Sequence, residues 1–210
     1  MDFLKLKHHS LSDWDFKSGV GFHLNTARFI STPTSLSRPQ TTTQGLWGWF
    51  YLKAAVKQNL PQGRWLNYYQ VNHTTGRNMQ IHFRVQALPT NEFPLNCYII
   101  EVTGATWYLV RRLNGSDTTL FSGSLTYTWN TDQWYYHRLT FYEYLNASLD
   151  PILRVIFETE IAGSWVEQCN KDISSPLWSG SATNLIGMHV IGAAPTDRIW
   201  TDDTEVWEAT

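Results

Sequence analysis

Charge, cysteine and long apolar runs are all scarce in this chain, and each scarcity removes a class of function. Of the 210 residues 16% are charged, 16 Lys and Arg against 18 Asp and Glu, for a formal net charge of −2. A nucleic-acid-binding surface needs clustered cations, and Arg111-Arg112 is the one adjacent pair here, so no nucleic-acid partner is expected. The longest apolar run, Leu46 to Leu52, is strand-sized. A membrane span needs about 18 apolar residues or more, so no membrane partner is expected either. The opening MDFLKLKHHSLSDWDF lacks the apolar stretch of a secretory signal. The two cysteines, Cys97 and Cys169, have neither metal-ligand spacing nor a C-x-x-C pair. Both sit in strand-like surroundings, which favours buried free thiols; a disulfide would require Cα atoms within about 7 Å. Helix signatures are missing too, since no segment sustains a 3.6-residue apolar period.

What the chain has in quantity is aromatic side chains, 11 Trp, 10 Tyr and 10 Phe, together with two-residue alternation. Met79, Ile81, Phe83 and Val85 alternate with Gln80, His82, Arg84 and Gln86, the pattern of a half-buried strand. Ala105–Leu113 and Asp117–Ser122 flank Asn114-Gly115, a hairpin signal because both residues tolerate positive φ. Trp134–Glu143 and Ile152–Glu158 form a second pair around a turn at Asn146–Pro151. Further strands are expected at Phe3–Lys7, Val20–Leu24, Ala27–Ser31, Leu46–Lys53, Trp65–Val71, Cys97–Thr103, Leu185–Ile191 and Arg198–Trp207. The polar stretch Ser31–Gln44 reads as a long surface loop. Short strands at regular spacing predict an all-β fold, an antiparallel two-sheet β-sandwich. It forms a single domain over 1–210, with 1–18 as a candidate N-terminal arm.

From Tyr98 onward, a series of pieces in order resembles the concanavalin A-like and laminin G-like jelly-roll superfamily. These are YLVRRLNGSDTTLFSG, then Gln133 to Leu139, then Leu153-Arg154-Val155, then Ile199 to Trp207 with its Asp202-Asp203 pair. Gly187 falls where that family keeps a glycine in its penultimate strand. The resemblance covers about half of the chain. It implies two antiparallel sheets, one of them concave, in a group of glycan-binding modules, glycan hydrolases and adhesive or structural domains; fold alone does not choose among these.

Hydrolases of this superfamily carry E-x-D-x-E on one strand. The nearest match is Glu158-Thr159-Glu160, with Ala162 in the third place. Residues i and i+2 share a face about 6.5–7 Å apart, and a retaining pair needs carboxyl groups about 5–5.5 Å apart. Two acids without the third suit a solvated strand face, so no enzyme is expected, with a jelly-roll glucanase as the alternative. Serine elbows, H-E-x-x-H and P-loops are absent. No cofactor is expected apart from calcium, for which Asp202 and Asp203, or Asp13 and Asp15, would supply oxygen ligands.

Flat rings stack on the apolar faces of sugars, and they also fill cores and interfaces. The candidate ligand-binding residues are Trp65, Tyr69, Trp134, Tyr136 and Arg138, flanked by Asn67, Gln70 and Gln133. Alternation sharpens the expectation: Tyr135, His137, Leu139 and Phe141 should face the core, and Tyr136, Arg138 and Thr140 should face outward with Trp134. The expected function is a non-catalytic surface module of structural, decoration or adhesion type, on a virion (phage) or similar particle. Its partner would be a neighbouring protein surface, another copy of the chain, or a glycan; a lectin-like module of a tail or adhesin is the alternative.

Overall fold

The computed structural model describes residues 3–5, 13–18, 23–25, 35–38, 47–71, 78–88, 93–191 and 199–209. In chain order the strands are β1 Phe3–Lys5, β2 Trp14–Ser18, β3 His23–Asn25, β4 Ser35–Arg38, β5 Trp47–Leu52, β6 Gly63–Val71, β7 Asn78–Val85 and β8 Cys97–Thr103. They continue with β9 Thr106–Leu113, β10 Ser116–Ser124, β11 Tyr135–Leu145, β12 Pro151–Ile161, β13 Ser164–Ser174, β14 Leu185–Ile191 and β15 Ile199–Ala209. No α-helix occurs among the described residues. The strands form two antiparallel sheets, an eight-stranded one ordered β13-β12-β11-β6-β15-β4-β3 with β1 on β15, and a seven-stranded one ordered β10-β9-β8-β7-β14-β5-β2.

The all-β sandwich expected from the alternation is what forms. Met79, Ile81 and Phe83 of the seven-stranded sheet face Trp65, Tyr69, Leu139, Phe141, Val155 and Phe157 of the eight-stranded one across a continuous core. Tyr135, His137, Leu139 and Phe141 are buried, while Tyr136 and Arg138 are half-buried on the other side of β11. The Asn114-Gly115 hairpin closes with both residues at positive φ, 51° and 80°. At the second turn, Asn146 Oδ1 accepts from the amides of Ser148 and Asp150, 2.9 Å each. Cys97 and Cys169 are free and buried, and burial raises both thiols, Cys169 to about 12.

Some expectations change, and others fall outside the described residues. The Ser31–Gln44 loop contains β4, which pairs with β15 and β3. Ala27–Ser31 lies outside the described residues, as do 20–22 of the strand expected before it. The stretch read as an arm contributes β1 to one sheet and β2 to the other, and Trp14 is in the core. Gln80 and Arg84 were expected to be exposed but are 4% and 0% exposed. Both faces of β7 are covered, so alternation there separates two buried environments. Arg84, at φ 52°, leaves the strand pattern and binds across the end of the sandwich. It donates to the carbonyls of Pro61 and Leu177 and pairs with Glu143.

Candidate functional site: the outer faces of the two sheets

The sequence-predicted ligand residues divide between core and surface. Trp65 and Tyr69 are wholly buried, both at 0% exposure, which corrects their inclusion among the candidate ligand-binding residues. Their position in β6 points them inward, where Trp65 packs edge-on to Trp14 and donates to Asn67 Oδ1 at 2.9 Å. Trp134 is half-buried and precedes β11. Tyr136 and Arg138 lie on the outer face of the eight-stranded sheet. Tyr136 stacks on its cross-strand partner Tyr68 at 4.1 Å and 7°. Arg138 forms a bidentate pair with Glu158 (2.6 and 2.7 Å) and lies 4.2 Å over the Trp165 ring. Glu158 is therefore committed to a guanidinium. Asp202 stands opposite Tyr68 and accepts from the Asp203 amide at 2.9 Å, where a bulge interrupts β15.

This places Tyr136, Arg138, Asp202 and Asp203 on one sheet face. Calcium asks for six to eight oxygen ligands, and no group of three or more His, Cys, Asp or Glu among the described residues is arranged to hold a metal ion. The Asp202-Asp203 pair by itself supplies only part of such a set.

The outer face of the seven-stranded sheet is a site that sequence reasoning missed. Register places His82, Gly187 and Tyr51 side by side on β7, β14 and β5. A Cβ on Gly187 would lie 2.4 Å from both the Tyr51 ring and the Phe50 carbonyl oxygen. Glycine therefore lets the Tyr51 ring lie close across β14, and its hydroxyl reaches His82 Nδ1. His82 Nε2 meets Gln80 Oε1 at 2.9 Å, and Gln80 Nε2 donates to Glu101 Oε2 at 2.9 Å. Thr103 Oγ1 donates to the other carboxylate oxygen, also at 2.9 Å. Burial first, then His189 and Arg112, hold the His82 pKa well below its ordinary value, so the ring is neutral and has one N–H. The chain then runs one way: Tyr51 donates to His82, His82 to Gln80, and Gln80 to Glu101.

Around this chain lie Trp49, Val85, Ile99, Val110 and Leu185, a second apolar cluster separate from the main core. Phe93 covers part of it, its ring 4.6 Å from His189 and 4.5 Å from the Arg112 guanidinium. Arg112 is held in turn by Asp117, at 2.6 and 2.5 Å.

The chain surfaces on the β8–β9 hairpin, inside the edge strand β10. Glu101 pairs with Tyr108 across the strands, both half-buried, and Thr103 pairs with Thr106. Ser122 and Ser124 of β10 continue these two rows and are exposed. The Gly104–Ala105 turn between β8 and β9 also forms one wall of a shallow pocket of about 460 Å³, closed by residues 125–129 with the Tyr127 and Trp129 rings. A half-buried ring, a carboxylate fixed from two sides and a row of hydroxyls thus share one face of β8, β9 and β10. A polar pair such as Gln80 and His82 inside an apolar strand is the sequence signal that could have pointed here. Only the register reveals that it leads to Glu101.

The sandwich belongs to a defined structural class: it has the concanavalin A-like jelly-roll fold of legume lectin-like domains. It is similar to the legume lectin-like domain from Entamoeba histolytica, at 11% identity and a TM-score of 0.64 over 99% of this chain and 97% of that one. The lumenal domain of VIP36, solved with Ca²⁺ and Man3GlcNAc, matches at 14% identity and 0.60 over 98% and 88%. The carbohydrate recognition domain of Emp46p in a potassium-bound form matches at 11% and 0.63 over 98% and 94%. No protein-family model matches the sequence, and neither does any curated protein. Among the described residues no helix is long and apolar enough to cross a membrane.

Proposed function

We propose that this chain is a non-catalytic glycan-binding module whose ligand lies on the outer face of the β8–β9 hairpin of the seven-stranded sheet. The observation that carries this reading is Glu101. Its two carboxylate oxygens are fixed by Gln80 and Thr103, and Tyr108 stands opposite it on β9. A pre-oriented acceptor beside a half-exposed ring suits a sugar, which offers an apolar ring face and a set of hydroxyls, and holding the acceptor rigid lowers the entropic cost of binding. The similarity to domains solved as carbohydrate recognition domains supports the same class of ligand. Cleavage of a glycosidic bond ordinarily needs two carboxyl groups across that bond; Glu101 has Gln80 and Tyr108, not a second acid, as its cross-strand neighbours. Carriage on a virion or other particle is the finer part of the reading. It draws on a low-charge, aromatic-rich composition, and electron microscopy of labelled particles would test it.

The main test is a glycan array followed by titration calorimetry, with and without added calcium, because solved neighbours include calcium-bound, potassium-bound and metal-free forms. Tyr108→Ala and Glu101→Gln should each weaken the bound glycan by about thirtyfold, the loss typical of a hot-spot side chain, with the fold intact. Affinity unchanged in both variants, or an array with no binder, would refute the assignment.

A further inference from the structure

Among the described residues the large apolar side chains left exposed are four leucines, and all lie at the same end of the sandwich. Leu145 and Leu149, 61% and 74% exposed, flank the turn between β11 and β12. Leu113 and Leu95, 44% and 66% exposed, flank the turn between β9 and β10, where the Leu95 carbonyl accepts from the Gly115 amide at 2.9 Å. Arg84 ties both turns to one end. It pairs with Glu143, two residues before Leu145, and it precedes by two residues Gln86, whose amide donates to the Asn96 carbonyl next to Leu95.

Single exposed leucines need no explanation, but the placing of these does. Leu149 holds φ 62°, a left-handed conformation that a bulky side chain adopts only at a cost. The β9–β10 turn fills its left-handed positions with Asn114 and Gly115, which bear them most easily. The β11–β12 turn thus tolerates strain to present its most exposed leucine. Both turns are also suited to leaving water. Neither Leu113–Ser116 nor Leu145–Leu149 contains a charged residue. The bordering carboxylates, Asp117 and Asp150, accept from Arg112 and from the Asn146 side chain. The amides of Asn146, Ser148, Leu149 and Asp150 donate within their own turn, and those of Asn114 and Gly115 donate to Asn96 Oδ1 and the Leu95 carbonyl. A backbone satisfied in this way enters an apolar medium without orphaned donors.

Four leucines at 44 to 74% exposure, divided between two turns, fall well short of the ~800 Å² that each side of a stable protein interface buries. A fluid bilayer conforms to separate contacts, and carboxylates beside both turns favour uncharged over anionic lipid. We propose that this end of the molecule seats its leucines in a neutral lipid surface, with both turns in the interfacial zone. A membrane span needs a continuous apolar run, whereas surface insertion needs only apolar side chains that the fold brings together. The site is independent of the glycan reading, since Glu101 lies toward the opposite end of β8, beside the Gly104 turn.

The test is co-sedimentation of the full chain with phosphatidylcholine vesicles, which carry no sugar, and with vesicles that also contain phosphatidylserine. The chain should bind the neutral vesicles, and raising salt should not release it, because salt screens charges and not apolar contacts. Leu149→Gly should weaken binding about tenfold, the share of one buried leucine. Its thermal stability should stay at or above wild type, because glycine adopts the positive φ readily. Leu145→Ser should weaken binding to a similar extent, and glycan affinity should be unchanged in both variants. The proposal is overturned if neutral vesicles bind nothing, if binding requires phosphatidylserine, or if Leu149→Gly binds as wild type does. It is also overturned if sedimentation without lipid shows a dimer that Leu149→Gly dissolves, since a second copy of this chain would then cover the leucines.

Discussion

On the outer face of the eight-stranded sheet the polar groups are charged, half-exposed and paired locally, as in Arg138 with Glu158 and Arg154 with Asp172. On that of the seven-stranded sheet they are mostly neutral and buried, joined in one chain from Tyr51 to Glu101. The two faces solve the same problem, polar groups on a sheet, in opposite environments. Water screens the first, so its ion pairs contribute little individually. Nothing screens the second, so each missing partner would cost the full desolvation of the group left behind. Substitutions that remove one hydrogen-bonding group should therefore be severe on the seven-stranded face and mild on the eight-stranded one.

The largest expected effect is acid sensitivity. His82 and His137 are both buried with lowered pKa values, His137 pushed down to about 3 by desolvation. Above pH 6.5 these rings are neutral in folded and unfolded chains alike and contribute no pH dependence. Below it the unfolded chain takes up protons that the folded one refuses, so stability falls as pH drops toward the folded pKa values. Each ring contributes a slope of up to about 1.4 kcal/mol per pH unit. Urea unfolding of wild type and His82→Gln between pH 7 and 4.5 checks this, since the variant should lose one ring's share of the slope. Equal slopes would mean that His82 is reached by water, and the contrast between the faces would weaken.

Next in size is Gly187→Ala. The new methyl meets the Phe50 carbonyl and the Tyr51 ring at 2.4 Å, so backbone or ring must shift and the Tyr51–His82 bond is lost with it. Overpacking of this kind costs about 1–3 kcal/mol, and the lost bond adds to it. Tyr51→Phe isolates the second part, leaving His82 Nδ1 without its donor at a cost of about 1–3 kcal/mol. Thermal unfolding should rank Gly187→Ala below Tyr51→Phe, and both below wild type. If Tyr51→Phe proved neutral, the chain would be a consequence of packing and not a source of stability.

Much of the architecture was legible where one face of a strand is apolar and turn chemistry is strong. β8 and β14 form at the bounds expected from Cys97–Thr103 and Leu185–Ile191, and the Asn114-Gly115 hairpin follows from two residues that accept positive φ. Legibility failed where polarity did not report exposure. β13, SWVEQCNKDIS, has too few apolar positions to read as a strand, and it forms because it completes an edge beside β12. β4 lies in a Ser/Thr/Pro-rich stretch and is held by pairing with β15. Gln80 and Arg84 look solvent-facing by alternation, yet a second cluster and the end of the sandwich cover them. The residues of this candidate site were inside expected strands, but Glu101, Gln80 and Tyr108 are brought together only by pairing across three strands. Trp65 and Tyr69 were misplaced for the reverse reason: large rings serve cores as readily as surfaces.

The smallest effect sharpens the comparison from the other side. Glu158→Gln removes one half of a bidentate ion pair whose side chains are 21% and 16% exposed, and leaves Arg138 over Trp165. A charge-assisted pair of good geometry at partial exposure is worth about 1 kcal/mol, and Gln keeps an acceptor for one of the two guanidinium bonds. The expected loss is thus under about 1 kcal/mol, shrinking further at high salt. Glycan affinity should stay at the wild-type value, because the pair lies on the sheet opposite Glu101. Chemical denaturation at two salt concentrations, run beside calorimetry with the bound glycan, reads both quantities. A loss as large as that of Tyr51→Phe would show that this face is as desolvated as the other. A loss of glycan binding with stability intact would move the ligand to the eight-stranded sheet and return Glu158 to the functional surface.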